Sequence, residues 1–204
     1  MNPGQGSQPQ FRRTTQRTMK TTRFPILMAL ALLAGLLASA AHAERADREK
    51  PTNVEANHMA YDDVRQINTF TGNVVLTRGT LVMHAEKLVV VQDAAGYQYA
   101  TLTAPKGGFA TIRQKRDGGP DLWMEARAAD RIEYDGKTEI AKFFKNARIR
   151  LLEGTRVTDE VEGDFISYDS KTEFYSVNNN PAGDKPGGGR IRATIQPRLD
   201  NKGK

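Results

Sequence analysis

Few side chains in this sequence are of a type and spacing that could do chemistry. His58 and His84 are the two histidines that follow residue 43. A zinc site needs three or four nitrogen, sulfur or carboxylate ligands. The chain has no cysteine, and each histidine stands beside an apolar residue, so both read as strand histidines and no metal is expected. Ser167, Ser170 and Ser176 are the serines of the same region, and none sits in the G-x-S-x-G elbow that frames a serine nucleophile. Gly136-Lys137-Thr138 resembles the end of a phosphate-binding loop, but the first glycine of that motif falls on Arg131, which leaves a turn. Asp62, Asp135 and Asp169 invite comparison with paired catalytic carboxylates. Each follows a tyrosine that ends a strand, in the same place of a repeated unit, and turn formation explains an Asp there. The expectation is a protein with no catalytic residues, no cofactor and no metal.

The elements around these residues start with a leader. Lys and Arg number 30 and Asp and Glu 24, giving a net charge of +6. Five of the cations (Arg12, Arg13, Arg17, Lys20 and Arg23) precede residue 44, where there is no acid, so residues 44–204 hold 25 basic against 24 acidic groups. A nearly neutral body lacks the concentrated basic face that nucleic acid requires, and no nucleic-acid partner is expected. Residues 1–43 read as a secretory signal: the basic stretch, an apolar run from Ile26 to Ala38, then Ala41-His42-Ala43 as an A-x-A cleavage site. As a helix that run spans about 20 Å against the roughly 30 Å of a bilayer core, which favours a cleavable leader over an uncleaved anchor. Arg12-Arg13 is followed by Thr14-Thr15-Gln16, without the apolar residue of a twin-arginine signal, so ordinary Sec export is expected. The absence of cysteine rules out a lipid-anchored lipoprotein. The mature protein is expected to start at Glu44 and to reside in the periplasm as one domain over 44–197, with 198–204 a disordered tail.

The mature chain repeats itself. Residues 56–76 laid over 129–149 match at Ala56 and Ala129, Tyr61 and Tyr134, Asp62 and Asp135, Ile67 and Ile140, Phe70 and Phe143, and Asn73 and Asn146. Residues 130–143 laid over 164–177 match at seven further positions, including Ile132 with Ile166 and Tyr134 with Tyr168. A repeat of this size is a supersecondary unit that buries its apolar face only when neighbours stack on it. Apolar residues recur at period two, and turn residues fall between the runs at Tyr61-Asp62-Asp63, Arg78-Gly79, Tyr134-Asp135-Gly136 and Tyr168-Asp169-Ser170. The pattern predicts an all-β protein of consecutive antiparallel strands, with longer interruptions at 106–108 and 115–120. Residues 178–189, with three Asn, two Pro and four Gly, predict a flexible connection to a last strand, Arg190 to Gln196. Period-two phase puts Thr52, Val54, Phe70, Val74, Leu76, Met83, Ile132, Tyr134, Ile149, Ile166 and Tyr168 on one inner face. Periodicity does not separate a closed sandwich core from two faces held apart by an apolar ligand.

One ordered series of motifs goes further. Thr69-Phe70-Thr71-Gly72-Asn73-Val74, then Arg78-Gly79-Thr80, then Ala85-Glu86-Lys87-Leu88-Val89-Val90-Val91, with Ala129-x-x-Ile132-x-Tyr134 and Gly163-Asp164-x-Ile166-x-Tyr168 behind them, resembles the OstA-like family of periplasmic lipopolysaccharide-transport proteins. The resemblance runs from about Pro51 to Pro197. The second repeat departs from it, with Phe144-Lys145-Asn146-Ala147 where the family often has T-G-N-A, and the 113–120 loop is strongly basic. The resemblance implies a twisted β-jellyroll, open at both ends, whose inner face is a groove for the acyl chains of lipid A. It also implies head-to-tail self-association into a bridge between LptC at the inner membrane and LptD at the outer membrane. The cleavable leader, and the lack of a long barrel after the jellyroll, point to the soluble member of that system. With no nucleotide motif, the driving force must come from another component. Against this stand a periplasmic β-sandwich that binds protein or glycan without lipid cargo, and a hydrolase of unrecognised signature.

Overall fold

The computed structural model describes residues 46–47, 49–119, 121–180, 182, 185 and 188–197. The expected leader over 1–43, its cleavage site and the 198–204 tail lie outside the described residues. No helix among those residues is long and apolar enough to cross a membrane.

The strands are β1 (Asn53–Glu55), β2 (His58–Asp62), β3 (Ile67–Arg78), β4 (Leu81–Gln92), β5 (Gln98–Thr103), β6 (Ala110–Lys115), β7 (Leu122–Ala128), β8 (Arg131–Asp135), β9 (Ile140–Glu153), β10 (Arg156–Asp169), β11 (Phe174–Asn178) and β12 (Arg192–Ile195). All the pairings are antiparallel. Four strands, β3, β4, β9 and β10, are long, and each divides its partners between its two ends. The C-terminal half of β3 pairs with β1 and its N-terminal half with β2. In β4 the early residues pair with β6 and the late ones with β5. In β9 the early residues pair with β8 and the late ones with β7, and β10 divides between β12 and β11. The result is two half-sheets folded over one another. Half-sheet I runs β1-β3-β4-β6-β7-β9-β10-β12, half-sheet II runs β2-β3-β4-β5-β8-β9-β10-β11, and neither closes into a barrel. Pairing is thus not always between consecutive strands: β6 returns to β4, and β8 pairs with β5.

The fold-over is placed by the repeat. In β3 the register with β4 slips between Thr71 and Val74, and in β9 the slip lies opposite Gly163 and Phe165. The extra residue falls in each case at a pair of left-handed residues, Gly72 (φ 83°) with Asn73 (φ 49°) and Lys145 (φ 67°) with Asn146 (φ 46°), positions equivalent at the repeat offset. A bulge of this kind bends its strand and sharpens the local twist. It also turns a carbonyl out of the ladder, and the chain crossing between half-sheets takes that carbonyl up: Asn57 N–H donates to Gly72 O at 3.0 Å, and Ala129 N–H to Lys145 O at 2.7 Å. A side chain at Gly72 would collide with Asn57.

Near the bend the two inner faces pack fully, with Val74, Leu88, Leu102, Ala128, Ile132, Ala147 and Ile166 at most 2% exposed. The outer face of half-sheet I is a ladder of alternating charge across four strands: Arg113 to Glu125 at 3.0 Å, Glu125 to Arg150 at 2.9 Å, and Arg150 to Glu160 at 4.0 Å. One face is therefore made for water and the other for apolar contact.

Candidate functional site: the cavity between the half-sheets

Away from the bend the inner faces diverge and leave a cavity of about 340 Å³. Half-sheet I contributes Val54, Leu76, Leu81, Met83, Ile112 and Met124, and half-sheet II contributes Phe70, Val90, Ala100, Tyr134, Ala141, Phe143 and Tyr168. Towards the strand ends the lining turns polar, with Arg78, Gln98, Gln114, Glu139 and Ser170. The space thus has an apolar interior and a polar rim, suited to an amphiphile.

Of the eleven inner-face residues expected from the sequence, Thr52, Val54, Phe70, Leu76, Met83, Tyr134 and Tyr168 line this cavity. Val74, Ile132, Ile149 and Ile166 are on the same faces but are packed into the core. Sequence phase alone does not reveal where two converging sheets touch. Leu81, Val90, Ala100, Ile112, Met124, Ala141 and Phe143 also line the cavity, outside the expected set. Val90 sits in the unbroken run Leu88 to Val91, where alternation is invisible. Phe143 was signalled, because it is the repeat partner of Phe70. Ile112 and Met124 lie on the two strands that flank the basic loop, where Ile112 is followed by Arg113, Gln114 and Lys115 and Met124 sits in the apolar run Leu122 to Met124, so neither shows a clear alternation.

The rim is held by turns whose chemistry the repeat encodes. Asp62 accepts the N–H of Arg65 at 3.0 Å. Asp135 accepts the N–H groups of Lys137 at 2.8 Å and Thr138 at 3.1 Å, and Asp169 those of Lys171 at 2.8 Å and Thr172 at 3.3 Å. Each turn ends on a left-handed residue at the equivalent position: Gln66 (φ 54°), Glu139 (φ 62°) and Glu173 (φ 53°). The Thr138 amide, helped by that of Lys137, holds the Asp135 carboxyl below the usual range against partial desolvation. At Asp169 partial desolvation pushes upward, but the Lys171 and Thr172 hydrogen bonds outweigh it and the net shift is downward. These carboxylates serve as turn acceptors.

Two further contacts tie the rim. Asp47, only 3% exposed, accepts the Thr80 N–H at 2.8 Å, the Thr80 hydroxyl at 2.6 Å and the Gln114 amide at 3.0 Å. It thereby clamps the β3–β4 turn to β6. Gly79, at φ 59°, leaves room for that carboxylate, and a Cβ there would overlap it. Arg116, in the β6–β7 loop of half-sheet I, pairs with Glu173 in the β10–β11 loop of half-sheet II. His58 and His84 are exposed, and no group of three or more potential metal ligands occurs among the described residues.

The class these features define is an open β-jellyroll with an apolar cavity between two half-sheets. Residues 53–174, more than half of the chain, match the family described as LptA/(LptD N-terminal domain) LPS transport protein, and the chain belongs to that family. Similar proteins include the lipopolysaccharide export system protein LptA of Haemophilus influenzae, 28% identical over 71% of this chain and 80% of that one. LptA of Escherichia coli strain K12 is 29% identical over 74% of this chain and 77% of its own length. The crystal structure of LptH from Pseudomonas aeruginosa, described as the LptA-homologous periplasmic component of the conserved lipopolysaccharide transport device, matches with a TM-score of 0.62 at 25% identity. The match covers 74% of this chain and 99% of that one.

Proposed function

We propose that this protein carries lipopolysaccharide through the periplasm without catalysing a reaction, holding the acyl chains of lipid A in the cavity between its half-sheets. The observation that carries this reading is the cavity itself, apolar within and polar at its rim. Each methylene kept from water is worth roughly 0.8 kcal/mol, so several acyl chains could not cross an aqueous space unshielded. The chain reaches the periplasm on a leader removed after Ala43, a boundary that amino-terminal sequencing of the exported protein reads directly. Asp47 then stays in the mature protein, where the rim needs it.

Assembly follows from the sheet ends. The β1 and β2 edges and the β11 and β12 edges are unpaired among the described residues. Inward-facing apolar side chains there have nothing opposite them: Met59 and Tyr61 on β2 are 55% and 51% exposed, and Ile195 on β12 is 76% exposed. Unlike edges on one molecule join head to tail, by main-chain hydrogen bonding, into an open series that continues the groove. The terminal members of such a series meet LptC at the inner membrane and LptD at the outer membrane.

The test is site-specific photo-crosslinking in a lipopolysaccharide-producing cell. Crosslinkers at Val54, Phe70 or Tyr134 are expected to capture lipopolysaccharide, and those at the opposite-phase neighbours Glu55 and Glu133 are not. Equal labelling at both phases rejects a one-faced lipid path.

A further inference from the structure

We propose that Arg78 binds a phosphate group on the lipid, so that the protein selects a phosphorylated amphiphile and not an apolar one alone. This rests on the reading of the cavity as the lipid path. Arg78 is the last residue of β3, in the inward phase shared by Phe70 and Leu76. It lines both the main cavity and an adjoining recess of about 230 Å³ that is bounded across the gap by Tyr97, Gln98, Gly136 and Glu139. Its Nε is shut away from solvent with no hydrogen-bond partner. The guanidinium has no ion pair with any described residue: Glu139, the acid on the same rim, is paired with Lys171 at 3.5 Å.

The physical argument is one of compensation. Arginine stays charged at any physiological pH, and the buried Arg78 Nε–H has no acceptor, a donor that is costly to leave unpaired. Its position gives that cost a use. Arg78 stands where the apolar lining ends and Gln98, Gln114 and Ser170 begin, which is where the headgroup of an amphiphile lies when its chains fill the interior. A guanidinium presents a planar fork of donors that matches two phosphate oxygens at once, and such charge-assisted pairs are about twice as strong as neutral ones. Asp47 gives the site its rigidity, because it clamps Thr80, two residues beyond Arg78, to the strand that carries Gln114.

The test compares the binding of phosphorylated lipid A with that of the same lipid stripped of its phosphates, using the full exported chain and its Arg78→Gln and Arg78→Lys variants, with circular dichroism as the folding control. The parent protein is expected to prefer the phosphorylated lipid by about tenfold. Arg78→Gln should abolish that preference by weakening binding of the phosphorylated lipid about tenfold more than that of the stripped lipid, and Arg78→Lys should keep part of it. Equal affinity of the parent for both lipids overturns the proposal, as does an equal loss on both in Arg78→Gln. If Arg78→Gln does not fold, the two lipids on the parent and on Arg78→Lys still decide. Binding of inorganic phosphate alone, removed by Arg78→Gln, overturns the lipid assignment in favour of a free-anion site. Failure of the parent to bind either lipid overturns the lipid path itself, a result distinct from loss of the preference.

Discussion

Asp47 shows how much of the rim depends on single side chains. Its carboxylate joins three donors, on Thr80 and Gln114, that lie 33 and 67 residues away in sequence. Replacing it leaves those donors without acceptors, and a hydrogen-bonded charged group in such a place contributes about 1.5–3 kcal/mol. Asp47→Ala is therefore expected to lower unfolding stability by about 2–3 kcal/mol in urea titrations, and a loss below about 0.5 kcal/mol would show that the clamp is not formed in solution. Nothing in the sequence marks Asp47, because its partners are distant and its neighbours form no recurring motif. The turn aspartates are the opposite case. Asp62, Asp135 and Asp169 act within three residues of themselves, so their role was legible from the tyrosine before each and from their recurrence.

The bulges decide what could be read among the strands. Period two picked out stretches of β3, β4, β8, β9, β10 and β12, because side chains alternate wherever the ladder is regular. It could not anticipate that 72–73 and 145–146 break the ladder, although the repeat had aligned the two places. Consecutive buried residues follow from the same geometry. Phe143 faces the interior, while Phe144 packs on the outer surface edge-on to Phe165 at 5.2 Å, with the Arg131 guanidinium 3.7 Å from its ring. The two bulges also differ in cost. Gly72 adopts its left-handed conformation freely, whereas Lys145 holds φ 67° with a Cβ, which is unfavourable by about 1–2 kcal/mol for an ordinary residue. Lys145 is exposed, so Lys145→Gly is expected to stabilise the protein by about 1 kcal/mol after allowing for the added freedom of the unfolded chain. Thermal melts of the two proteins check the sign.

At the scale of the molecule, the jellyroll came from family resemblance and not from periodicity, which is the same for a closed sandwich. The edges carry the test of assembly. Among the described residues β12 pairs with Asp159 to Glu162 of β10 and with no other strand, and Ile191 and Ile195 are already 47% and 76% exposed, so little apolar burial holds it to the body. Removing 190–204 is expected to leave a folded, largely monomeric protein that still binds lipid. Light scattering over a concentration series reads this; undiminished oligomer growth excludes β12 as a connector, and loss of fold makes it part of the core. The crossings between half-sheets at 56–57, 104–109 and 129–130, and the return from β11 to β12, have a different consequence. Each half-sheet is assembled from separated stretches of sequence, β4 pairing with β6 past β5 and β5 with β8 past β6 and β7, so neither is complete until β9 and β10 have been made. Contacts of such long range place folding in the slow, millisecond-to-second class of β topologies. A newly made chain thus passes an interval in which its strands are extended and its apolar face open, a period when it needs protection from other apolar surfaces and unpaired edges.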